Sequence, residues 1–232
     1  MKRFIASLLF AASITPYAWA QDANPPSVPV EKAPYHVPVF ANEYVSLLNV
    51  QIPPNRTSGY HRHAHDSVGI LLGDAERISQ PVGGKPAVAA RRQRGSVGFT
   101  FYAGKPATHI VTNTGSTTFH NIVIQILYPT PGRFTAGNRS DAKGYAQVLD
   151  NPRVRGWRLI LEPGQSAPAI TQSAPGIRIV VDGGEIIESL SGEADRGMAP
   201  RSGEFYWQDA GATRAIRNNG MTRIEFLEFE FK

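Results

Sequence analysis

Cysteine is absent from all 232 residues. That absence excludes disulfides, thiolate metal sites, cysteine nucleophiles and a lipid-modified cysteine. Long apolar runs are almost absent as well. The one extended run, residues 4–14, is interrupted only by Ser7 and Ser13 and falls short of the ~20 apolar residues of a membrane span. No stable membrane anchor is therefore expected. Charge is nearly balanced, with 24 Lys+Arg against 19 Asp+Glu, a net of +5. The single basic cluster, Arg91-Arg92-Gln93-Arg94, reads as a solvated strand end or loop. Nucleic acid would need a broad basic surface interleaved with aromatics, so it is not an expected partner. No window sustains helical periodicity, and no Ser/His/Asp triad, phosphate loop or paired-carboxylate site stands at a readable spacing.

What is present begins with a leader. Lys2 and Arg3 open a basic start, the apolar run follows, and Ala18-Trp19-Ala20 matches a small-x-small cleavage pattern. Export is expected, with the mature chain starting at Gln21 in a periplasmic or secreted setting. Removing the two leader charges leaves 22 Lys+Arg against 19 Asp+Glu, or +3.

Residues 21–39 are Pro-rich and read as an extended arm lying along the surface. Beyond them, short β-rich runs are separated by Gly, Pro, Asn and Asp. They fall at 44–52, 67–72, 97–102, 109–112, 121–128, 157–161, 177–181, 185–190, 204–207 and 223–231. Many short strands at this spacing predict an all-β sandwich or barrel. In the last run Glu225, Glu228 and Glu230 alternate in part with apolar residues and read as a solvated sheet face. The turn-rich stretch 129–144 is the candidate boundary. The chain also repeats itself. Leu48-Asn-Val-Gln-Ile-Pro-Pro-Asn-Arg-Thr57 aligns with Trp157-Arg-Leu-Ile-Leu-Glu-Pro-Gly-Gln-Ser166 at an offset of 109, and Asn113-Thr-Gly115 later meets Asn218-Asn-Gly220. A period of this length means a duplicated domain. Asn113 and Asn218 each precede a Gly-containing corner and read as turn residues.

Four of the six histidines lie in His61-Arg-His63-Ala-His65-Asp66 and in His109-Ile-Val-Thr-Asn113. Imidazole is the commonest side-chain ligand of mid-row transition metals. On a strand, His61 and His63 point to one face, whereas His109 can join them only through the fold. His36, in the arm, is given no role, and His120 reads as a solvated strand start.

These residues resemble the cupin superfamily. The segment Pro53-Pro-Asn-Arg-Thr-Ser-Gly-Tyr-His61-Arg-His63-Ala-His-Asp-Ser67-Val68-Gly-Ile-Leu-Leu-Gly73 is similar to its first motif, and Gly95…Tyr102-Ala-Gly104…His109-x3-Asn113 to its second. The resemblance implies two tandem jelly-roll barrels, a bicupin. Residues 40–130 would form the first cupin, 131–145 a linker and 146–232 the second. It also implies one divalent transition metal on His61, His63 and His109. Iron suits such a site best; manganese, nickel, copper and zinc are compatible.

Two departures qualify the resemblance. The motif glutamate position falls on Ser67 or Val68, so three neutral imidazoles would leave the metal charge uncompensated and attract an anionic oxygen ligand. His65 or Asp66 could add a ligand, and Tyr60 and Asp66 are the nearby acid–base candidates. The second copy places Ile170, Gln172 and Arg214 where the first has His61, His63 and His109, so it should hold no metal. Phe99 and Phe101 alternate on one strand and are expected to line the pocket. The implied function is a metal-dependent dioxygenase, or a related lyase or isomerase, acting on a small oxygen-rich molecule. The alternative is a non-enzymatic ligand-binding or structural bicupin. A homodimer is compatible with the family, and no catalytic side chain is assigned.

Overall fold

The apolar runs become the central strands of two stacked sheets, where both faces of each strand are covered. In a computed structural model, which describes residues 25–89, 91–128 and 130–232, the chain is built of strands apart from one short 3-10 turn, Val30–Lys32. The expected leader and the first residues of the arm lie outside the described residues. No helix among the described residues is long and apolar enough to cross a membrane.

The first barrel is formed by two five-stranded sheets. One runs in the order His36–Ala41, Val45–Ile52, Phe119–Ile126, Ser67–Leu71, Val97–Thr100. The other runs Val28–Pro29, His61–His63, Ala107–Asn113, Arg77–Pro81, Ala87–Val88. The second barrel repeats this wiring. Its sheets run Tyr145–Asp150, Val154–Leu161, Ile224–Phe231, Gly176–Asp182, Phe205–Gln208 and Ile170–Thr171, Thr213–Asn218, Ile186–Leu190, Arg196–Met198. Two tandem jelly rolls are thus the architecture that the internal repeat and the family resemblance implied.

Three apolar cores follow from the period-2 side-chain rule. Along Val45–Ile52, Leu48, Val50 and Ile52 point into the first barrel, while Val45 and Leu47 point out of it. The outward set joins Val68, Ile70, Ile122 and Ile124 and meets Ile177, Ile179, Leu227, Phe229 and Phe231 of the second barrel. The two inner sheets therefore stack face to face, which explains why these strands read as nearly continuous apolar runs. A third core, including Leu159, Leu161, Ile216 and Phe226, fills one end of the second barrel.

Polar links cross the same boundary. Arg94, expected in a solvated loop, donates to Asp182 Oδ1 at 3.0 Å and Ser202 Oγ at 2.7 Å. Asp66 pairs with Arg153 Nε at 3.0 Å, both buried. Gly95 adopts φ +77°, and a Cβ there would sit 2.8 Å from Glu225 Oε1, so this tight turn between the barrels requires glycine.

The duplication extends to single hydrogen bonds. Asn113 Nδ2 donates to the carbonyls of Ile52 and Thr117, both at 2.8 Å, and its Oδ1 accepts from Gly115 N at 2.9 Å. Asn218 repeats the pattern with Leu161, Thr222 and Gly220 at 2.9, 2.8 and 3.0 Å. Both are buried turn clamps, as their position before a glycine corner suggested.

Two expectations are corrected here. The described part of the arm is not merely laid on the surface. Val28–Pro29 pairs in parallel with His61–Arg62, and His36–Ala41 is a full strand paired with Val45–Ile52. Val30, Ala33 and His36 are buried. The C-terminal glutamates are not a solvated face either: Glu225, Glu228 and Glu230 are 6%, 2% and 0% exposed. The alternation is real, but the face carrying Glu228 and Glu230 is turned into the second barrel and the face carrying Phe229 and Phe231 against the first.

Candidate metal centre

The short strand His61–His63 places Arg62 in solvent and both histidines in the first barrel. On the neighbouring antiparallel strand, His109 lies directly opposite His61. One rung of a ladder thus supplies two imidazoles and the next same-face position supplies the third. The ring centroids are separated by 4.7 Å (His61–His109), 5.0 Å (His61–His63) and 5.0 Å (His63–His109). One nitrogen from each lies within 4.8 Å of the others.

His61 Nδ1 stands 3.1 Å from the Gly59 carbonyl. A carbonyl only accepts, so Nδ1 carries the proton and Nε2 is a bare lone pair. That Nε2 lies 3.1 Å from His109 Nε2. Two ligands each ~2.1 Å from one metal stand about 3.0 Å apart at a right angle and about 3.4 Å at the tetrahedral angle, so the spacing suits a shared cation. His63 Nδ1 is buried without a hydrogen-bond partner, and its ring is stacked on Tyr102 at 4.6 Å and 15°.

Burial, then the neighbouring imidazoles, press the pKa of His61 to about 3 and of His63 to about 2; burial, then His36 and Arg77, press His109 to about 4. All three are therefore neutral near pH 7, the state in which imidazole ligates. They open on a cavity of about 410 Å³. Val50, Ile52, Leu71, Phe119 and Val123 form its apolar floor, and no Asp or Glu lines it among the described residues.

The other sequence-predicted residues are placed differently. Asp66 is committed elsewhere, accepting from Ala103 N at 2.9 Å and pairing with Arg153. His65 and Tyr60 are half-buried and outside both the imidazole cluster and the cavity lining. Tyr102 holds the aromatic place beside the cluster. Ser67, at the motif glutamate position, lines the cavity but donates its hydroxyl to the His65 carbonyl at 2.8 Å, while Val68 faces the other barrel. Phe99 borders the cavity with its ring packed against the inter-barrel core. Phe101 lies beyond the strand, is 56% exposed, and touches Phe99 edge-on instead of lining the pocket. His36, given no role from the sequence, lines the cavity with its ring 4.7 Å from His61. Its strand was hidden by the Pro-rich composition of the arm. His120 is half-buried and bonded to Asn49 Oδ1 at 2.8 Å.

The second barrel tests the reading of the duplicate. Ile170 pairs with Arg214 in the register that pairs His61 with His109. Its equivalent space shrinks to about 10 Å³. Arg139, from the connector, fills it, pairing with Glu228, with Glu230 Oε1 at 2.7 Å and with Gln172 Oε1 at 2.9 Å. Arg178 donates to Glu228 Oε1 at 2.7 Å. Burial opposes ionisation of Glu228, but Arg178 and then Arg139 outweigh it and hold the carboxyl below its usual range.

No protein-family model matches the sequence, and no curated protein is similar to it in sequence. Solved structures do share its fold. AerE from Microcystis aeruginosa aligns at a TM-score of 0.57 and 13% identity, over 86% of this chain and 98% of that one. A salicylate 1,2-dioxygenase variant from Pseudoaminobacter salicylatoxidans, in complex with gentisate, aligns at 0.58 and 12%, over 84% and 73%. An oxalate decarboxylase variant from Bacillus subtilis aligns at 0.56 and 10%, over 82% and 69%. At these identities the likeness is one of fold: the chain is a double-barrel protein of cupin architecture. Its three-histidine cluster fits a metal-dependent cupin.

Proposed function

We propose that the first barrel binds one divalent transition metal through His61, His63 and His109 and serves as an Fe-type dioxygenase acting on a small oxygen-rich molecule. The observation that carries this reading is the convergence of three neutral imidazoles, two buried and one half-buried, on one point of a cavity of about 410 Å³. When bound, such a metal supplies Lewis acidity and, if redox-active, electron exchange with dioxygen. The chain supplies the rest. Gly59 orients His61, Tyr102 braces His63, and the apolar floor excludes water. Among the described residues no carboxylate lines the cavity, and His61, His63 and His109 are held as neutral ligands. A mechanism that needs a carboxylate base therefore finds none there, which favours oxygenation over the lyase or isomerase alternative. The fold likeness to a dioxygenase and a decarboxylase is consistent with a small-molecule substrate. We also propose export to the periplasm or exterior, on the strength of the leader pattern.

Elemental analysis of the purified mature protein tests the reading, beside His61→Ala and His109→Ala. One equivalent of a single transition metal, lost in both variants, is expected. Substoichiometric metal that is unchanged by either substitution and not restored on reconstitution would overturn it. Metal without oxygen uptake across diketones and phenolics would support the second reading, a non-catalytic binding protein, which the lack of a carboxylate base also favours.

A further inference from the structure

The cavity of the imidazoles also receives two guanidiniums, Arg77 and Arg92. Arg77 stands opposite Asn113, four residues along the strand from His109, or about 13 Å. Its guanidinium lies 5.4 Å from the centre of the Phe119 ring, and its Nη1 is buried with no hydrogen-bond partner. Arg92 reaches the cavity over Gly98, where a Cβ would stand 2.9 Å from its Nη1. Glycine at 98 leaves the room Arg92 uses.

The fully buried arginines are all paired. Arg139, Arg153 and Arg178 each meet a carboxylate. Arg77 and Arg92 meet none among the described residues, although they face one cavity and repel each other. A guanidinium keeps its charge at any ordinary pH. A buried, unpaired donor is costly unless a ligand accepts from it. The space between these cations and the imidazoles is floored by apolar side chains.

We propose that Arg77 and Arg92 form an anion subsite that binds the carboxylate of a compact, largely apolar organic acid, its body over the floor and an oxygen substituent toward His61, His63 and His109. This rests on the first-barrel cavity being a substrate site. The planar donor fork of arginine matches a carboxylate bidentately. Inorganic phosphate would offer such a match but leave the apolar floor without a partner.

Isothermal titration calorimetry on the mature protein, metal-loaded and chelator-treated, tests this with benzoate, its neutral counterpart benzamide, and inorganic phosphate. Benzoate should bind at least tenfold more tightly than benzamide. Arg77→Met and Arg92→Met should each weaken benzoate about ten- to a hundredfold and leave benzamide unchanged. Arg92 is exposed, so its variant reports even if Arg77→Met fails to fold. Metal content is measured on the same samples. Arginine-dependent benzoate binding in protein that holds no metal would sustain the subsite while the metal reading fails. Equal affinity for benzoate and benzamide, or benzoate binding indifferent to both substitutions, would overturn the subsite. Phosphate binding more tightly than benzoate on the same arginines would overturn the organic-acid assignment.

Discussion

Arg139→Met removes the cation that closes the second barrel. In the wild type Arg139 is 2% exposed and meets Glu228, Glu230 and Gln172 while lying 5.3 Å over the Tyr145 ring. After the substitution Glu228 keeps Arg178, but Glu230, fully buried, loses its guanidinium and retains only the Gly137 amide. Leaving one charge of a buried pair uncompensated costs about 3–5 kcal/mol. With a slope near 2 kcal/mol per molar urea, the unfolding midpoint should fall by about 2 M. Trp157 and Trp207 both lie in the second barrel, so tryptophan fluorescence of the mature chain follows this event. Methionine keeps most of the buried stem, which separates the lost charge from lost packing. Adding Glu230→Gln removes the orphaned charge, so the double variant should recover at least half of the loss. A single-variant cost below about 1 kcal/mol, or a double variant as unstable as the sum of the singles, would refute the charge argument.

The imidazole cluster makes the metal-free protein acid-sensitive. The unfolded chain takes up protons near pH 6.5, whereas folded His109, His61 and His63 resist to about 4, 3 and 2. Their contribution is therefore complete above pH 6.5 and declines as pH falls toward 4; urea midpoints at pH 7 and 5 should show it, with a shallower decline in His61→Ala/His63→Ala. Asn113→Ala and Asn218→Ala each delete three hydrogen bonds of a buried clamp and should each cost about 2–4 kcal/mol. A more than twofold difference between the two in chemical denaturation would contradict their equivalence. Asp66→Asn should destabilise by about 3 kcal/mol through the orphaned Arg153 and leave metal content unchanged; loss of metal in elemental analysis would restore Asp66 as a ligand.

Periodicity carried much of this protein into the sequence. The pattern of Val45–Ile52 and Ile224–Phe231 reports which side chains share a face, and the spacing of His61 and His63 reports that two imidazoles point together. The alignment of the copies placed Ile170 and Arg214 at the positions of His61 and His109; that the two stand opposite each other came from the strand register. The connection from His61 to His109 needed the family resemblance, because the two are 48 positions apart in the chain. Pattern is silent about what opposes a face. Glu228 and Glu230 alternate with phenylalanines as a solvated edge would, and only Arg139 and Arg178 arriving from distant segments make that face an interior. Tyr60 and Tyr102 are equally plausible beside His63 in one dimension; the chain path gives the place to Tyr102. Asp66 sits next to the histidines in sequence, yet the second barrel claims its carboxylate.

The sequence by itself determined an all-β, duplicated chain with one copy rich in imidazole and one stripped of it, because local alternation, turn residues and repeat offset are written along the chain. Only the tertiary structure decided that His36 reaches the imidazoles, that Arg77 and Arg92 share their cavity, and that Arg139 closes the other barrel. Each depends on contacts between segments far apart in sequence, whose meeting is set by sheet stacking and loop path.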